Sequence, residues 1–87
     1  MAENIRTVEE ETRKISILFK EIEKRIAANR TKHNDADKTI KDFRRIFDHD
    51  SAKMNQAIFN QEAREEVYQE TLQTVSVLVE ILLRTKK

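Results

Sequence analysis

The sequence predicts an all-α fold, an elongated helical hairpin that assembles into an oligomeric helical bundle. Two observations support this prediction. The 87 residues include no glycine, proline or cysteine, although average usage would supply about ten glycines and prolines. Apolar residues also recur every three or four positions along most of the chain, which is the period of an amphipathic helix.

The missing residue types exclude several kinds of fold and site. Tight β-hairpins and glycine-rich phosphate loops need glycine, whereas disulfide scaffolds need cysteine. The length suits a single all-helical domain over residues 1–87. A domain of this size is marginally stable alone, so we expect oligomerisation to supply the missing burial.

The first helix is predicted over about residues 7–32. Thr7 begins a capping-box pattern with the glutamate three residues later. Val8, Ile15 and Ile22 then repeat at intervals of seven and form one apolar stripe.

A turn is predicted at about residues 31–35. Asn34 tolerates the left-handed conformation in which many helices end. Asn34 or Asp35 can also cap the helix that follows.

The rest of the chain is predicted to form one long helix over about residues 35–85. Its seam residues are spaced alternately by four and three: Ala36, Ile40, Phe43, Phe47, Asp50, Met54, Ile58, Gln61, Glu65, Tyr68, Leu72, Val75, Val79 and Leu82. This heptad spacing is typical of a coiled coil. The alternative is a turn at Asp48–Ser51 between helices 35–47 and 51–85, which gives a three-helix unit. Unbroken phase favours the continuous helix.

A helix of this length extends beyond the first one, at about 75 Å against about 39 Å. The unpaired part is strongly apolar, so we expect a second copy or a helical partner protein to cover it, most simply in a dimeric four-helix bundle. The predicted interface comprises Met54, Ile58, Phe59, Tyr68, Leu72, Val75, Val79 and Leu82. Three polar seam residues, Asp50, Gln61 and Glu65, have three interpretations: water-facing positions, selection of the helix register, or a polar ligand cavity.

Charge is segregated along the sequence. Residues 20–45 carry nine Lys and Arg against five acids, whereas residues 46–70 carry six acids against two bases. The basic candidates for contact with phosphate or nucleic acid are Lys32, Lys38, Lys41, Arg44 and Arg45. The acidic residues interleaved among them weaken this hypothesis.

No pattern in the sequence indicates catalysis, a metal or a cofactor. The serines lack the glycine turn of a nucleophile elbow, and His33 and His49 lack the spacing of helical metal ligands. There is no signal-peptide layout and no apolar stretch of about 20 residues, so we expect a cytoplasmic protein.

The predicted function is therefore a non-enzymatic protein–protein interaction module, such as a small regulator, adaptor or assembly factor. It would act through oligomerisation of its long C-terminal helix. The alternatives are a nucleic-acid accessory protein that uses the basic segment 20–45, and a peripheral membrane protein whose C-terminal segment 80–87 lies on anionic lipid.

Overall fold

The structure, a computed structural model, describes residues 2–86, with side chains from Val8 onward. The helices are α1 (Ala2–His33), α2 (Ile40–Phe59) and α3 (Arg64–Thr85), with a single 3₁₀ turn at Asp35–Asp37. The described residues include no β-strand. The all-α prediction is confirmed.

Helix α1 begins at Ala2 rather than near Thr7. Thr7 therefore lies inside the helix, and its prediction as N-cap is wrong. The helix ends at His33, close to the predicted position, and is followed by Asn34 with φ 55° and ψ 37°. The left-handed conformation expected of Asn34 is confirmed.

Helix α2 begins at Ile40, five residues later than predicted, because Thr39 supplies its cap. The Thr39 hydroxyl accepts a hydrogen bond from the Asp42 backbone N–H at 3.2 Å. The Asp42 carboxylate in turn accepts from the Thr39 backbone N–H at 2.9 Å, which completes a capping box. The hydrogen bond from the Thr39 backbone N–H lowers the pKa of Asp42 most, and the hydrogen bond from the Thr39 hydroxyl lowers it further, so this pKa lies below its ordinary value.

The predicted long helix 35–85 is wrong, because the chain turns at residues 60–63. Gln61 adopts a left-handed φ of 53°. The Gln61 N–H donates to the Ile58 carbonyl at 3.1 Å, and the Glu62 N–H donates to the Ala57 carbonyl at 3.0 Å. These two bonds form a Schellman motif, which ends a helix by satisfying its last carbonyl groups.

The alternative break at Asp48–Ser51 is also wrong, since these residues lie within α2. Asp50 is buried there and accepts a hydrogen bond from Gln73 Nε2 at 3.3 Å. This tertiary contact outweighs the local preference of aspartate for a cap. The four-three spacing continues across the real turn only because Gln61 and Glu65, both polar and exposed, were counted as seam positions.

Helix α3 lies between the other two helices. Contacts of Asp50 with Gln73 and of the Lys38 carbonyl with Arg84 make α2 antiparallel to α3. Contacts of Arg25 with Gln69 and of Asn29 with Gln73 make α1 parallel to it. Over the described residues, no Cα atom of α1 lies within 8 Å of a Cα atom of α2.

The resulting shape is extended, with principal dimensions of 47 × 37 × 20 Å. The radius of gyration is 15.2 Å, against about 12 Å for a compact domain of this length. Among the described residues, only four apolar side chains are buried, namely Phe43, Ala57, Leu72 and Val77. Hydrophobic burial within one chain is therefore small.

Candidate protein interaction face

A buried polar cluster joins the C-terminal halves of α1 and α3. At its centre is Glu80, only 2% exposed. Arg30 forms two hydrogen bonds to the Glu80 carboxylate, at 2.7 and 3.1 Å. Arg84, one turn further along α3, donates to the same carboxylate at 3.1 Å. We call these three residues the polar cluster.

The polar cluster keeps Glu80 ionised. Burial alone raises the pKa of Glu80, but the hydrogen bonds and positive charges of Arg30 and Arg84 outweigh it, so the pKa lies below its ordinary value. The hydrogen bond from Arg30 to Glu80 raises the pKa of Arg30. The Glu80 carboxylate and the Arg30 guanidinium therefore remain charged at neutral pH.

Arg84 also holds the segment that joins α1 to α2. Its guanidinium donates to the backbone carbonyls of Asp35 and Lys38, at 2.8 Å each. The same group lies 4.4 Å from the ring centre of buried Phe43, within the range of a cation–π contact. One side chain thus ties the end of α3 to the turn and to the start of α2.

A second polar chain crosses all three helices. Asn29 of α1 donates to Gln73 of α3 at 3.2 Å, and Gln73 donates to Asp50 of α2 at 3.3 Å. Across the described part of the chain, no buried side-chain nitrogen or oxygen lacks a hydrogen-bond partner. The buried polar side chains at this end of the molecule are therefore all hydrogen-bonded.

The other end of the α1–α3 contact is apolar and open. A groove of about 370 Å³ runs between the helices. Its lining residues are Ile15, Leu18, Phe19, Ile22, Tyr68, Thr71, Leu72 and Val75. Phe19 is 58% exposed at its edge, so the groove offers apolar surface to solvent.

Apolar residues continue this surface along both helices. On α3, Leu78 and Leu82 follow Val75 at steps of three and four, which places them on the same side of the helix. On α1, Val8 precedes Ile15 by seven residues. All three added side chains are exposed, Val8 by 64% and Leu82 by 65%. The apolar face, as we define it, comprises Val8, Ile15, Leu18, Phe19, Ile22, Tyr68, Thr71, Val75, Leu78 and Leu82.

The chain also exposes more surface to solvent than a compact monomer of its mass. A compact monomer of 10.3 kDa exposes about 5,400 Å², whereas this chain exposes 7174 Å². The surplus of about 1,800 Å² exceeds the roughly 800 Å² that each partner contributes to a typical stable interface.

The residues predicted as an interface lie in three places. Tyr68, Leu72 and Val75 line the groove, and Leu72 is already buried within the chain. Val79 is half-buried and Leu82 exposed further along α3. The three remaining residues lie on α2, outside the groove: Met54 is half-buried, Ile58 is exposed and Phe59 is 86% exposed.

The three polar seam residues do not share a face, because the helix that would align them is interrupted. Asp50 is buried under Gln73. Gln61 is exposed in the turn, and exposed Glu65 accepts a hydrogen bond from Gln69 at 2.8 Å.

The five basic candidates are similarly divided. Lys41, Arg44 and Arg45 line one concavity on α2 together with Asp48. Lys38 forms an ion pair with Asp35 at 2.7 Å. Lys32 lies on α1, in a separate concavity beside Lys24 and Arg25.

The polar cluster was not predicted from the sequence, although a signal was present. Glu80 is the one acidic residue in the apolar stretch 72–83, and Arg84 follows it by one helical turn. A lone charge on a buried helix needs a partner of opposite charge. The spacing of Glu80 and Arg84 therefore indicated that these two side chains form an ion pair. Arg30 as the second partner is visible only in the tertiary structure.

No group of three or more potential metal-ligating side chains occurs among residues the structure describes. None of the helices in that part of the chain is long and apolar enough to cross a membrane. The chain matches no protein-family model, no curated protein and no solved structure.

Proposed function

We propose that the protein is a non-enzymatic protein–protein interaction module that works as a homodimer through its apolar face. The contribution of α1 distinguishes this face from the interface expected of a long C-terminal helix alone. The observation that carries the proposal is the open apolar groove between α1 and α3, together with the exposed apolar side chains that precede it on α1 and follow it on α3.

The energetic support comes from the amount of surface. Exposed apolar patches of several hundred Å² are uncommon on monomers and usually mark interaction sites. The surplus of about 1,800 Å² per chain is enough for a dimer interface of standard size. A small regulator, adaptor or assembly factor in the cytoplasm would use such a dimer as a rigid scaffold for further partners.

The test is light scattering after gel filtration of the full chain. We expect a mass of twice the 10.3 kDa chain mass. Replacing Ile15 by Asp puts a carboxylate into the apolar face, which is expected to weaken self-association by about a hundredfold or more, or about 3 kcal/mol. Ile15 is half exposed in the single chain, so the helix itself tolerates the change.

The matched control is Ile17→Asp. Ile17 lies on the same helix and is 61% exposed, but two positions from Ile15 it points away from the groove. We expect this variant to remain a dimer. A monomeric parent chain at micromolar concentration, or equal loss of assembly in both variants, would overturn the proposal.

A second candidate function is contact with a polyanion such as nucleic acid, favoured by the common concavity of Lys41, Arg44 and Arg45. Positions 41, 44 and 45 share one side of α2. Binding of DNA or RNA that weakens steeply with salt, and that Arg44→Glu with Arg45→Glu abolishes, would support it. Salt-independent or absent binding would exclude it.

A further inference from the structure

We infer that the occupant of the apolar face is the N-terminal half of α1 from a second copy, which lies antiparallel along α3. This inference rests on the proposed homodimer and specifies its geometry. The expected pairs between copies are Val8 with Leu82, Ile15 with Val75, and Ile22 with Tyr68. By symmetry, each copy both supplies the segment and receives it.

The two apolar stripes match in length and spacing. On α1, Val8, Ile15 and Ile22 recur at seven, and on α3 Tyr68, Val75 and Leu82 do the same. Each stripe covers 15 residues, and its first and last members lie about 21 Å apart along the helix. Two heptads on each helix allow the knobs-into-holes packing of a helical bundle.

The fold of one chain leaves both stripes partly open: Val8, Ile15 and Leu82 are exposed, whereas Ile22, Tyr68 and Val75 are half-buried. Arg25 of α1 contacts Gln69 of α3, and the helices run parallel from there. Val8 therefore lies about 26 Å before that contact and Leu82 about 20 Å beyond it. The start of α1 extends past the start of α3, and Val8 and Leu82 cannot meet within one chain.

Charge decides the direction of the second copy. Both helices are acidic near their starts, with Glu9–Glu11 on α1 and Glu65–Glu66 on α3, and basic near their ends. In the antiparallel register, Glu9–Glu11 lie at the level of residues 79–81 of the partner's α3, about one turn before Arg84. Lys24 lies at the level of Glu66. A parallel register with Val8 beside Tyr68 would instead place Glu10 at the level of Glu70 and Lys24 at the level of Arg84, which like charges disfavour.

The experiment uses engineered cysteines, for which the chain is suited because it has none. Full-length chains carrying Val8→Cys and Leu82→Cys are mixed and treated with a short bismaleimide crosslinker. Both positions are exposed in the single chain, so folding is preserved. Residues held side by side react at an effective concentration of about 1 mM. At about 10 µM protein we therefore expect crosslinking about a hundredfold faster than by collision.

Two controls fix the geometry. A mixture of Val8→Cys with Thr71→Cys tests the parallel register and is expected to crosslink only at the collision rate. Each single variant alone should behave likewise, since two copies of Val8, or of Leu82, lie at opposite ends of the antiparallel dimer.

The failures of the two proposals are distinguishable. A monomer by light scattering overturns the homodimer and this inference together. A dimer that crosslinks through Val8 and Thr71, or through Leu82 with itself, overturns only the antiparallel arrangement. A dimer that crosslinks rapidly only between Val8 and Leu82 supports both.

Discussion

The two ends of the α1–α3 contact are built from opposite chemistry. At the C-terminal end, Glu80 is buried and bound by Arg30 and Arg84. At the N-terminal end, side chains such as Phe19 and Tyr68 line an open groove. In an ordinary domain the apolar residues are enclosed and the charged ones face water. Here a carboxylate is buried at one end, and apolar side chains line an open groove at the other.

The two ends therefore have different roles: the polar end orients the helices of one chain, and the apolar end is the surface of the proposed dimer. Hydrogen-bonded charges define which helices meet and in which orientation, because an unpaired buried charge costs several kcal/mol. Apolar burial is less directional but supplies most of the free energy of association. The polar cluster thus fixes how α1 and α3 meet in one chain, and the apolar face is the surface that we propose a second chain covers.

The largest expected effect comes from breaking the closed end. Replacing Glu80 by Ala leaves Arg30 and Arg84 without their carboxylate. We expect the free energy of unfolding to fall by about 3 kcal/mol, the low end of the range for broken buried pairs, since Arg30 is partly exposed to water. Urea denaturation at fixed protein concentration measures the change.

Glu62→Ala is the matched control, because Glu62 is exposed in the turn between α2 and α3. A surface change of this kind should alter the free energy of unfolding by less than about 0.5 kcal/mol. Equal losses in the two variants would contradict a structural role of the polar cluster.

A fall in pH is expected to have an intermediate effect on the stability of the fold. The pKa of Glu80 is lower in the folded chain than its ordinary value of 4.5. Its contribution to stability is therefore complete above pH 4.5 and is lost as the pH falls through the lower folded pKa. Thermal melts between pH 2 and pH 6 should show this decline for the parent chain. A Glu80→Gln variant should show a shallower decline over the same range, and an unchanged decline would refute the assignment to Glu80.

The smallest expected effect comes from a substitution in the α2–α3 turn, outside both ends of the α1–α3 contact. Gln61 holds a left-handed φ of 53° in the α2–α3 turn, a conformation that glycine adopts without strain. We expect Gln61→Gly to stabilise the fold by about 0.5–1 kcal/mol. Dimer mass and crosslinking should not change.

The comparison variant is Gln56→Gly, in the interior of α2. Glycine inside a helix costs about 1 kcal/mol, so this change should destabilise the chain. Stabilisation by both substitutions, or by neither, would contradict the role assigned to the turn.

Much of the local structure was predictable, because it depends on neighbouring residues. The absence of glycine and proline predicted helix throughout, and Asn34 marked the first turn. The second turn was missed because Gln61 is not a usual residue for a helix end. The polar residues Gln61 and Glu65, both exposed, also completed the four-three count across the turn.

The candidate site was predictable only in part. Tyr68, Val75 and Leu82 were recognised from their seven-residue spacing on α3, but α1 was not expected to share the face. Helical periodicity shows which residues lie on one side of a helix. It does not show which helix will lie beside them.

The sequence alone determined that the chain is helical and carries more apolar surface than one short hairpin can enclose. Both properties follow from composition and spacing, which act within a few residues along the chain. The tertiary structure decided where the chain turns, since buried Asp50 keeps residues 48–51 helical through its contact with Gln73. It also decided which apolar residues remain exposed, because the contact of Arg30 with Glu80 aligns α1 and α3 across 50 residues of sequence.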